Sequence, residues 1–490
     1  MGFILLLTLI LPILSIPLVY LTGKRSSKSA ALLLAAIAIV GIVLISTTIP
    51  TVLSSPEHKY SETYQWIPLL NSDLVLFVDG ISLSTVYVAL VILIAASVFS
   101  ISYIQEKKRP AIYYSLLALL ATGLLGVFVT SNFLLFYFFW ELMVIPAYFI
   151  IGGWGYGDSY RTAFKFFVFT HAGAVFVLLG IGATYMATSS LDMFQVKDLL
   201  MATPEIAKWI LLSVTLGFAV KMAIVPLHIW LPETYSESPA PMSALLSGVL
   251  TSAGAYAIIR ISMGTIFPAI STTTFATIFM YGLAAFGVAS ALFGSLVALR
   301  ERDIKRVIAY SSISHMGYLL FGISLFPIEI AITGTVLHIV AHAMSKGLLF
   351  LSSGVITTRL STRNLDDMGG LAAKIPFTAT VATTASLSLA GTPPFACFIS
   401  EFLIFMGAFQ MMQIDAFYVV PTAIMLVAAV LSLAYSLRFM SKIFFGKPKS
   451  DQKVEDATGF MKISLALLTL FTVLIGILPQ FIIYLINTTA

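Results

Sequence analysis

A single carboxylate stands inside a long apolar stretch of this sequence. Residues 134–151 read LLFYFFWELMVIPAYFII, in which Glu141 is the one charged side chain. An ionised carboxylate in hydrocarbon is unfavourable by several kcal/mol, so such residues normally face a protein interior, have a partner and mark an ion or proton path. The sequence therefore predicts a buried partner for Glu141.

Lys221 is the candidate partner, because it ends another apolar segment, LLSVTLGFAVK. Burial disfavours a charged ammonium, whereas a nearby carboxylate favours it. A lysine balanced between these two effects could load and release a proton. A static ion pair that only fixes helix packing is the alternative, although a buried pair is a weak source of stability.

Three titratable side chains recur every four residues in LHIVAHAMSKGLLF: His338, His342 and Lys346. This spacing places them on one helix face, and imidazole can pass protons near neutral pH. The two histidines could also hold zinc, but the next position on the face is a lysine, so a third ligand is missing. We predict proton transfer and no metal; hydrogen-bonded core residues are the alternative.

A second deeply placed carboxylate, Glu401, lies in ISEFLIFMGAF. It is either the last proton acceptor before an exit or a carboxylate at the positive end of a half-helix. His228, two residues after Pro226, is predicted to face the cavity of a broken helix. In the sixth apolar segment we expect Lys165 to extend to the inner surface and His171 to pack in the core.

Two apolar segments are interrupted by proline and glycine. One reads KMAIVPLHIWLP (221–232) and the other LAGTPPFACFISEF (389–402). Proline removes a backbone donor and clashes with the preceding turn, and a broken membrane helix is tolerated where it lines a cavity or packs in protein. Paired interruptions in corresponding places indicate internal repeats. An offset of five segments predicts two inverted five-helix repeats.

The composition indicates an integral membrane protein. The 490 residues are 59% hydrophobic and 10% charged, whereas soluble domains are about 25% charged. About 20 apolar residues cross a bilayer. Fourteen segments meet this length: 2–22, 30–50, 79–103, 111–130, 132–152, 162–188, 207–229, 240–264, 272–299, 306–324, 327–357, 376–410, 417–442 and 460–485.

The predicted fold is therefore an all-α polytopic membrane protein of about 14 transmembrane helices, with broken helices 7 and 12. Four regions follow: residues 1–110 (helices 1–3), 111–265 (first repeat, helices 4–8), 266–443 (second repeat, helices 9–13) and 444–490 (helix 14). The first segment lacks a preceding charged start, so we expect a retained helix, not a cleaved signal.

The basic residues test the segment count, because cytoplasmic loops collect Lys and Arg. With the N-terminus outside, inner loops and inner helix ends carry 21 of the 27 Lys and Arg. They are Lys24, Arg25, Lys28, Lys107, Lys108, Arg109, Arg161, Lys165, Arg300, Arg302, Lys305, Arg306, Arg359, Arg363, Lys374, Arg438, Lys442, Lys447, Lys449, Lys453 and Lys462. Both termini should then lie outside.

Four stretches carry a resemblance to a known family. They are Trp140–Glu141 after its aromatic run, 221–250, RERDIKRVIAYSSISHMGY (300–318), and 338–402. Together they resemble the antiporter-like membrane subunits of respiratory complex I, the Mrp cation/proton antiporters and membrane-bound hydrogenases. The resemblance extends from about residue 78 to about 445. It implies fourteen helices with inverted five-helix repeats, and a place beside other antiporter-like subunits.

The resemblance also implies roles for individual residues. Glu141 and Lys221 match the family's carboxylate–lysine pair, and His315 and His342 match histidines on its central hydrophilic axis. Glu401 matches a position that carries lysine in most branches of the family. A glutamate at this position resembles the M-type subunit of complex I. Ser252 stands where that subunit usually carries a lysine, so water near Ser252, or His228, is expected to bridge the path.

We therefore expect a proton-translocating subunit of a complex I-like pump in a prokaryotic cell membrane. The chain has one cysteine, Cys397, and no nucleotide-binding glycine loop, so electrons should flow in partner subunits. No cofactor and no nucleic acid are expected. An Mrp-type Na⁺/H⁺ antiporter subunit and a non-pumping scaffold are the alternatives.

Overall fold

The computed structural model describes residues 2–70, 72–104, 109–449 and 454–487. Three of the basic residues assigned to inner loops, Lys107, Lys108 and Lys453, lie outside these ranges. The α-helices of the described residues are α1 Ile4–Leu14, α2 Ile16–Arg25, α3 Ser27–Ser46, α4 Ile49–Ser54, α5 Gly80–Tyr103, α6 Pro110–Val129, α7 Phe133–Leu142, α8 Val144–Trp154, α9 Ser159–Thr188, α10 Met193–Leu199, α11 Pro204–Met222, α12 Leu231–Glu237, α13 Ala240–Leu245, α14 Ser252–Ala257, α15 Thr274–Arg300, α16 Ile304–Ile323, α17 Glu329–Leu360, α18 Pro376–Leu389, α19 Ala396–Ile414, α20 Val419–Phe444, α21 Gly459–Ile477 and α22 Gln480–Asn487.

Within these ranges, twelve helical spans are long and apolar enough to cross a membrane. The predicted polytopic helical fold is thereby confirmed. The other two predicted segments are also helical, α11 with 19 residues and α16 with 20. Their charged and polar residues make them less apolar than the twelve. The exact count of fourteen, the inverted repeats and the four regional boundaries stay predictions.

The two predicted interruptions are present. Helix α11 ends at Met222 and α12 begins only at Leu231; likewise α18 ends at Leu389 and α19 begins at Ala396. The first break follows a left-handed residue, Ala223, with φ 55°. The second contains Gly391 with φ 64°, a conformation that glycine adopts without steric cost.

The segment 240–270 is helical throughout but not uniformly α-helical. Two stretches, Leu246–Leu250 and Ile258–Ile266, form π-helix on either side of α14. Short 3₁₀ turns lie at Pro68–Leu70, Leu200–Ala202, Phe267–Ile270, Leu365–Asp367, Leu371–Ala373 and Ala416–Tyr418. In segment 240–270 every residue of the most apolar window is buried, and the same holds for the most apolar window of α17. Both elements therefore run through the interior of the bundle.

A two-stranded antiparallel hairpin, β1 Tyr60–Ile67 and β2 Ser72–Val78, occupies the long connector after α4. The prediction of helices alone did not include it, although its β-branched and aromatic residues favour strands. Glu62 of β1 accepts hydrogen bonds from the amides of Leu5 (3.0 Å) and Leu6 (3.1 Å) at the start of α1. Burial and the hydrogen bond to Glu62 raise the pKa of Tyr64 to about 12. The hairpin thus caps the first helix.

Basic connections meet at one end of the bundle, as the charge pattern predicts. Arg363 forms ion pairs with Glu237 (2.9 Å) and Asp303 (3.1 Å), and Arg438 donates to the carbonyl oxygen of Glu301 (2.9 Å). These contacts join the connections after α12, α15 and α17 to α20, so the four share one side.

Lys305, in the basic run of residues 300–306, is buried at this same end. Its ammonium donates to the backbone carbonyls of Ser236 (3.0 Å) and Ser238 at the end of α12. A cation at these free carbonyls complements the negative end of a helix. Lys305 thus anchors the basic run of residues 300–306 to the end of α12.

Candidate functional site

Glu141 is the second-last residue of α7, three residues before α8 begins at Val144. Its Oε2 lies 3.0 Å from Nδ1 of His171 on α9. The Glu141 side chain is 18% exposed and that of His171 is 48% exposed. The expectation that His171 packs in the core is therefore wrong, because its ring lies on the lateral face of α9. No sequence motif distinguishes this histidine, and only its place in an apolar run could have indicated it.

Lys221 is buried, but its ammonium contacts the neighbour of Glu141 and not Glu141 itself. Its Nζ donates to the backbone carbonyl oxygen of Trp140 at 3.2 Å and lies 4.3 Å from the centre of the Trp140 ring. Among the described residues no ion pair within 4.0 Å joins Lys221 to Glu141, so the static ion pair considered as the alternative is not present. Because Trp140 directly precedes Glu141, the carboxylate can still attract the ammonium without contact.

His228 lies in the break between α11 and α12, as predicted, and lines a cavity of about 520 Å³. Its ring packs on Phe293 at 4.6 Å, and its buried Nδ1 has no partner among the described residues. The charged residues around the cavity are Lys165, Glu233, Glu237, Glu301, Asp303, Arg306 and Arg363. Lys165 extends there to an ion pair with Glu233 at 2.7 Å. The cavity opens at the end where the basic connections meet.

Lys346 is wholly buried on α17, together with His338 and His342. Its Nζ donates to the carbonyl oxygen of Ile308 at 3.2 Å and to the hydroxyl of Ser311, both on α16. Among the described residues no carboxylate forms an ion pair with it. This lysine is therefore solvated by neutral oxygens in the interior, an arrangement that costs free energy when the ammonium is charged.

A hydrogen-bonded chain runs from α20 to α19 through two histidines. Tyr435 Oη lies 3.3 Å from His315 Nε2, His315 Nδ1 lies 3.2 Å from His338 Nε2, and His338 Nδ1 lies 2.9 Å from Ser400 Oγ. Ser400 directly precedes Glu401 in α19. The structure thus joins His315 to His338 and adds Tyr435 and Ser400, two hydroxyl residues that resemble ordinary helix residues in the sequence.

His342 lies within the same group of rings but forms no hydrogen bond through either ring nitrogen to the described residues. Its ring centre is 5.4 Å from that of His315 and 6.3 Å from that of His338. Buried polar atoms nearly always have a partner, protein or water. Both nitrogens are therefore available to bond water between Lys346, one turn further along α17, and the His315–His338 pair.

Glu401 is buried beside the second break. Its Oε1 has no hydrogen-bond partner among the described residues, and a Cβ added at Gly391 would lie 2.5 Å from its Oε2. The glycine therefore satisfies two demands, a positive φ and room for the carboxylate. The break between α18 and α19 therefore makes room for a carboxylate in this part of the bundle.

Replacing Gly391 with alanine should destabilise the protein and disturb Glu401 at once. An L-residue in the left-handed region costs about 1–2 kcal/mol, and the added methyl group displaces the carboxylate. We expect a lower thermal unfolding midpoint of the purified protein, measured by intrinsic fluorescence. Gly182→Ala is the control, because a Cβ there meets nothing within 4 Å. Equal midpoints for the two variants would contradict this account of the break.

One group of metal-ligating atoms lies close together: single donor atoms of His315, His338 and Glu401 all fall within 4.8 Å of one another. The sequence suggested His338 and His342 as possible metal ligands. In the structure His338 lies instead beside His315 and Glu401. Both ring nitrogens of His315 and of His338 already have hydrogen-bond partners. A proton-passing chain is therefore the simpler chemistry, and the absence of a metal stays a prediction.

Ser252 begins α14, two residues after the first π-helical stretch ends at Leu250, and is buried. Its Oγ has no partner among the described residues. The neighbouring Thr251 is engaged by the hydroxyl of Tyr235. The hydroxyl of Ser252 is thus free to bond water, which fits the bridging role expected for this position without testing it.

Taken together, a helical membrane bundle with two broken helices and a buried set of lysine, histidine and glutamate side chains defines an ion-translocating membrane subunit. Residues 130–431 match the family model described as NADH:quinone oxidoreductase/Mrp antiporter, transmembrane. The chain belongs to this family.

Two curated relatives show the extent of the similarity. F(420)H(2) dehydrogenase subunit M of Methanosarcina mazei is 31% identical, over 87% of this chain and 85% of its own length. NADH-quinone oxidoreductase subunit M of Pseudomonas aeruginosa is 32% identical, over 94% and 91%. The chain is thus similar to M-type subunits of two oxidoreductases over almost its whole length.

Solved structures agree on the fold. A chain of the archaeal membrane-bound sulfane sulfur reductase superposes with a TM-score of 0.84 at 26% identity, covering 96% of this chain and 75% of its own. A chain of respiratory complex I from Thermus thermophilus gives 0.82 at 23% identity, covering 99% and 100%, and a chain of the Mrp complex from Dietzia gives 0.87 at 21%, covering 100% and 97%. The last two identities are low, so these two likenesses concern the fold alone.

Proposed function

We propose that this chain, an antiporter-like proton-translocating subunit of a complex I-like oxidoreductase, moves protons along one defined internal path. Protons enter through the cavity at His228 and reside on Lys221, whose affinity is set by Glu141. They continue past Ser252 to Lys346 and His342, and leave through the His315–His338 chain and Glu401.

The observation that carries this proposal is the hydrogen-bonded chain ending beside Glu401. Tyr435, His315, His338 and Ser400 form three consecutive contacts of 2.9 to 3.3 Å. A hydrogen-bonded chain of hydroxyls and imidazoles can pass a proton by successive transfers, because each member is both donor and acceptor. Such a chain in the centre of a membrane protein has little other use, since apolar packing would fill the same space.

Water completes the path between the protein groups. Four residues along it, His228, Ser252, His342 and Glu401, each present at least one buried polar atom with no hydrogen-bond partner among the described residues. Polar sites of this kind hold ordered water in proteins. Each gap between titratable side chains therefore has an oxygen or nitrogen atom at its margin that can anchor a water molecule.

The chain performs no electron transfer in this proposal. One buried cysteine, Cys397, cannot hold an iron–sulfur cluster. Redox chemistry in partner subunits supplies the free energy, which reaches this chain as a shift of charge along the buried row. The expected setting is a prokaryotic cell membrane, in accordance with the bacterial and archaeal relatives.

The test is Glu401→Gln in the assembled complex, reconstituted in liposomes and driven by its own electron donor and acceptor. Glutamine keeps the shape of the side chain but cannot take up a proton, so we expect proton transport, read from a pH-sensitive dye, to fall by about tenfold or more. Glu329→Gln, at the start of α17, is the matched control. Normal transport in the Glu401 variant, with normal assembly, would refute an exit through this residue.

A further inference from the structure

The Glu141 carboxylate lies between two basic groups of different exposure. On one side Oε2 contacts Nδ1 of His171 at 3.0 Å, near the surface of the bundle. On the other side Lys221 is buried, next to the Trp140 carbonyl. The second carboxylate oxygen, Oε1, has no hydrogen-bond partner among the described residues. The Glu141 carboxylate therefore contacts the outer base, His171, and acts on the inner base, Lys221, through its charge alone.

His171 is the polar residue of an otherwise apolar helix face. The residues around it on the exposed side of α9 are Phe164 (62% exposed), Val168 (44%) and Val175 (45%). Its ring stacks at 5.4 Å on Phe167, which fixes its orientation. A half-exposed imidazole bonded to a carboxylate is unfavourable against lipid. This face therefore fits contact with another membrane subunit better than contact with acyl chains.

The contact between His171 and Glu141 is not needed to hold α9 in place. A Cβ at Gly173 would lie 2.8 Å from Cβ of Val220, and one at Gly217 would lie 2.5 Å from the carbonyl oxygen of Gly173. Helices α9 and α11 thus pack backbone to backbone through small residues, the usual basis of helix association in membranes. A structural explanation of His171 would therefore add a polar contact to α7 on a helix that close packing against α11 already holds.

We propose that His171 is a further proton-exchanging residue of this chain: it takes a proton from a titratable group of an adjoining membrane subunit and passes it to Glu141, which alternates between His171 and Lys221. The imidazolium gives its Nδ1 proton to Glu141 Oε2, leaving a neutral imidazole and a carboxylic acid. The acid then gives a proton, through water at its unpartnered Oε1, to the neutral amine of Lys221, which restores the carboxylate. This inference rests on the proposed function, because it assigns a lateral entry to the same pair.

The experiment compares three variants in the assembled, reconstituted complex. His171→Gln keeps a hydrogen-bond donor for Glu141 but cannot exchange a proton, so we expect redox-driven proton transport to fall by about tenfold. His171→Lys restores a titratable donor and should recover most of the loss. His58→Gln makes the same substitution at a histidine in the connector between α4 and β1, where the ring Nδ1 lies 3.3 Å from the Val52 carbonyl oxygen. This variant should transport normally.

Every other outcome is informative. Normal transport by His171→Gln would overturn the inference and leave a surface pair. Equal loss in His171→Gln and His171→Lys would show that ring packing, not proton exchange, is required, and failure of both to assemble would make His171 a docking contact only; either result overturns the inference. Normal transport by Glu141→Gln would instead refute the proposed function itself, so the two failures are distinguishable.

Discussion

Replacing Glu141 with glutamine should stop redox-driven proton transport while leaving the complex assembled. The glutamine side chain has the same size and can still accept a hydrogen bond from His171, so the packing at the end of α7 is preserved. The negative charge is lost, however, and Lys221 keeps the Trp140 carbonyl and ring as partners. A buried ammonium without a nearby carboxylate favours its neutral form, so proton loading fails.

We expect a decrease of about tenfold or more in the rate of internal pH change in liposomes. Assembly is checked by co-purification of the partner subunits, identified by mass spectrometry. Glu205→Gln is the matched control, since Glu205 is 82% exposed and pairs only with Lys208 in α11. If Glu141→Gln and Glu205→Gln both transport normally, Glu141 is not part of the path.

Lys346→Met should abolish transport and, at the same time, leave stability unchanged or increase it. Lys346 is wholly buried and bonded to neutral oxygens of Ile308 and Ser311. Replacing a buried charge with an apolar residue of similar volume is often neutral or stabilising, by about 1–4 kcal/mol. Methionine has nearly the same length, but the proton-carrying group is gone.

Loss of transport without loss of stability identifies a functional lysine, whereas loss of stability without loss of transport identifies a structural one. Lys305 is also buried, but it donates to the carbonyl oxygens of Ser236 and Ser238 at the end of α12. Lys305→Met should therefore lower the thermal unfolding midpoint, with transport per assembled complex nearly unchanged. A Lys346→Met variant that is less stable yet transports normally would show that Lys346 serves only to hold α16 against α17.

The elements of the fold follow from simple features of the sequence. Length and hydropathy determine where helices can cross a bilayer, and proline with glycine determines where α11 and α18 must end. The four-residue spacing of His338, His342 and Lys346 places them on one face of α17, and the structure confirms that all three are buried. These properties are local, so each segment of the sequence reveals them whichever other segments it contacts in the fold.

Contacts between distant segments are harder to predict. The approach of His171 to Glu141 depends on how α9 lies against α7, and the glycines that allow such close packing are common in membrane helices. Tyr435 and Ser400 look like ordinary polar residues of apolar helices, and only the coordinates show that they extend a histidine chain. The β1–β2 hairpin and its cap on α1 likewise depend on the pairing of Glu62 with amides 56 and 57 residues away.

The π-helical stretches flanking α14 affect how relatives should be aligned to this chain. A π-turn closes its hydrogen bond from residue i to residue i+5, one residue more than an α-turn. Each such turn therefore shifts the angular phase of all side chains that follow it. A helical wheel drawn at a constant 100° per residue will assign Ser252 and Arg260 to the wrong faces. A gap in an alignment at this segment reflects the wider π-turn of one chain, and does not mean that a helical turn is missing from the other.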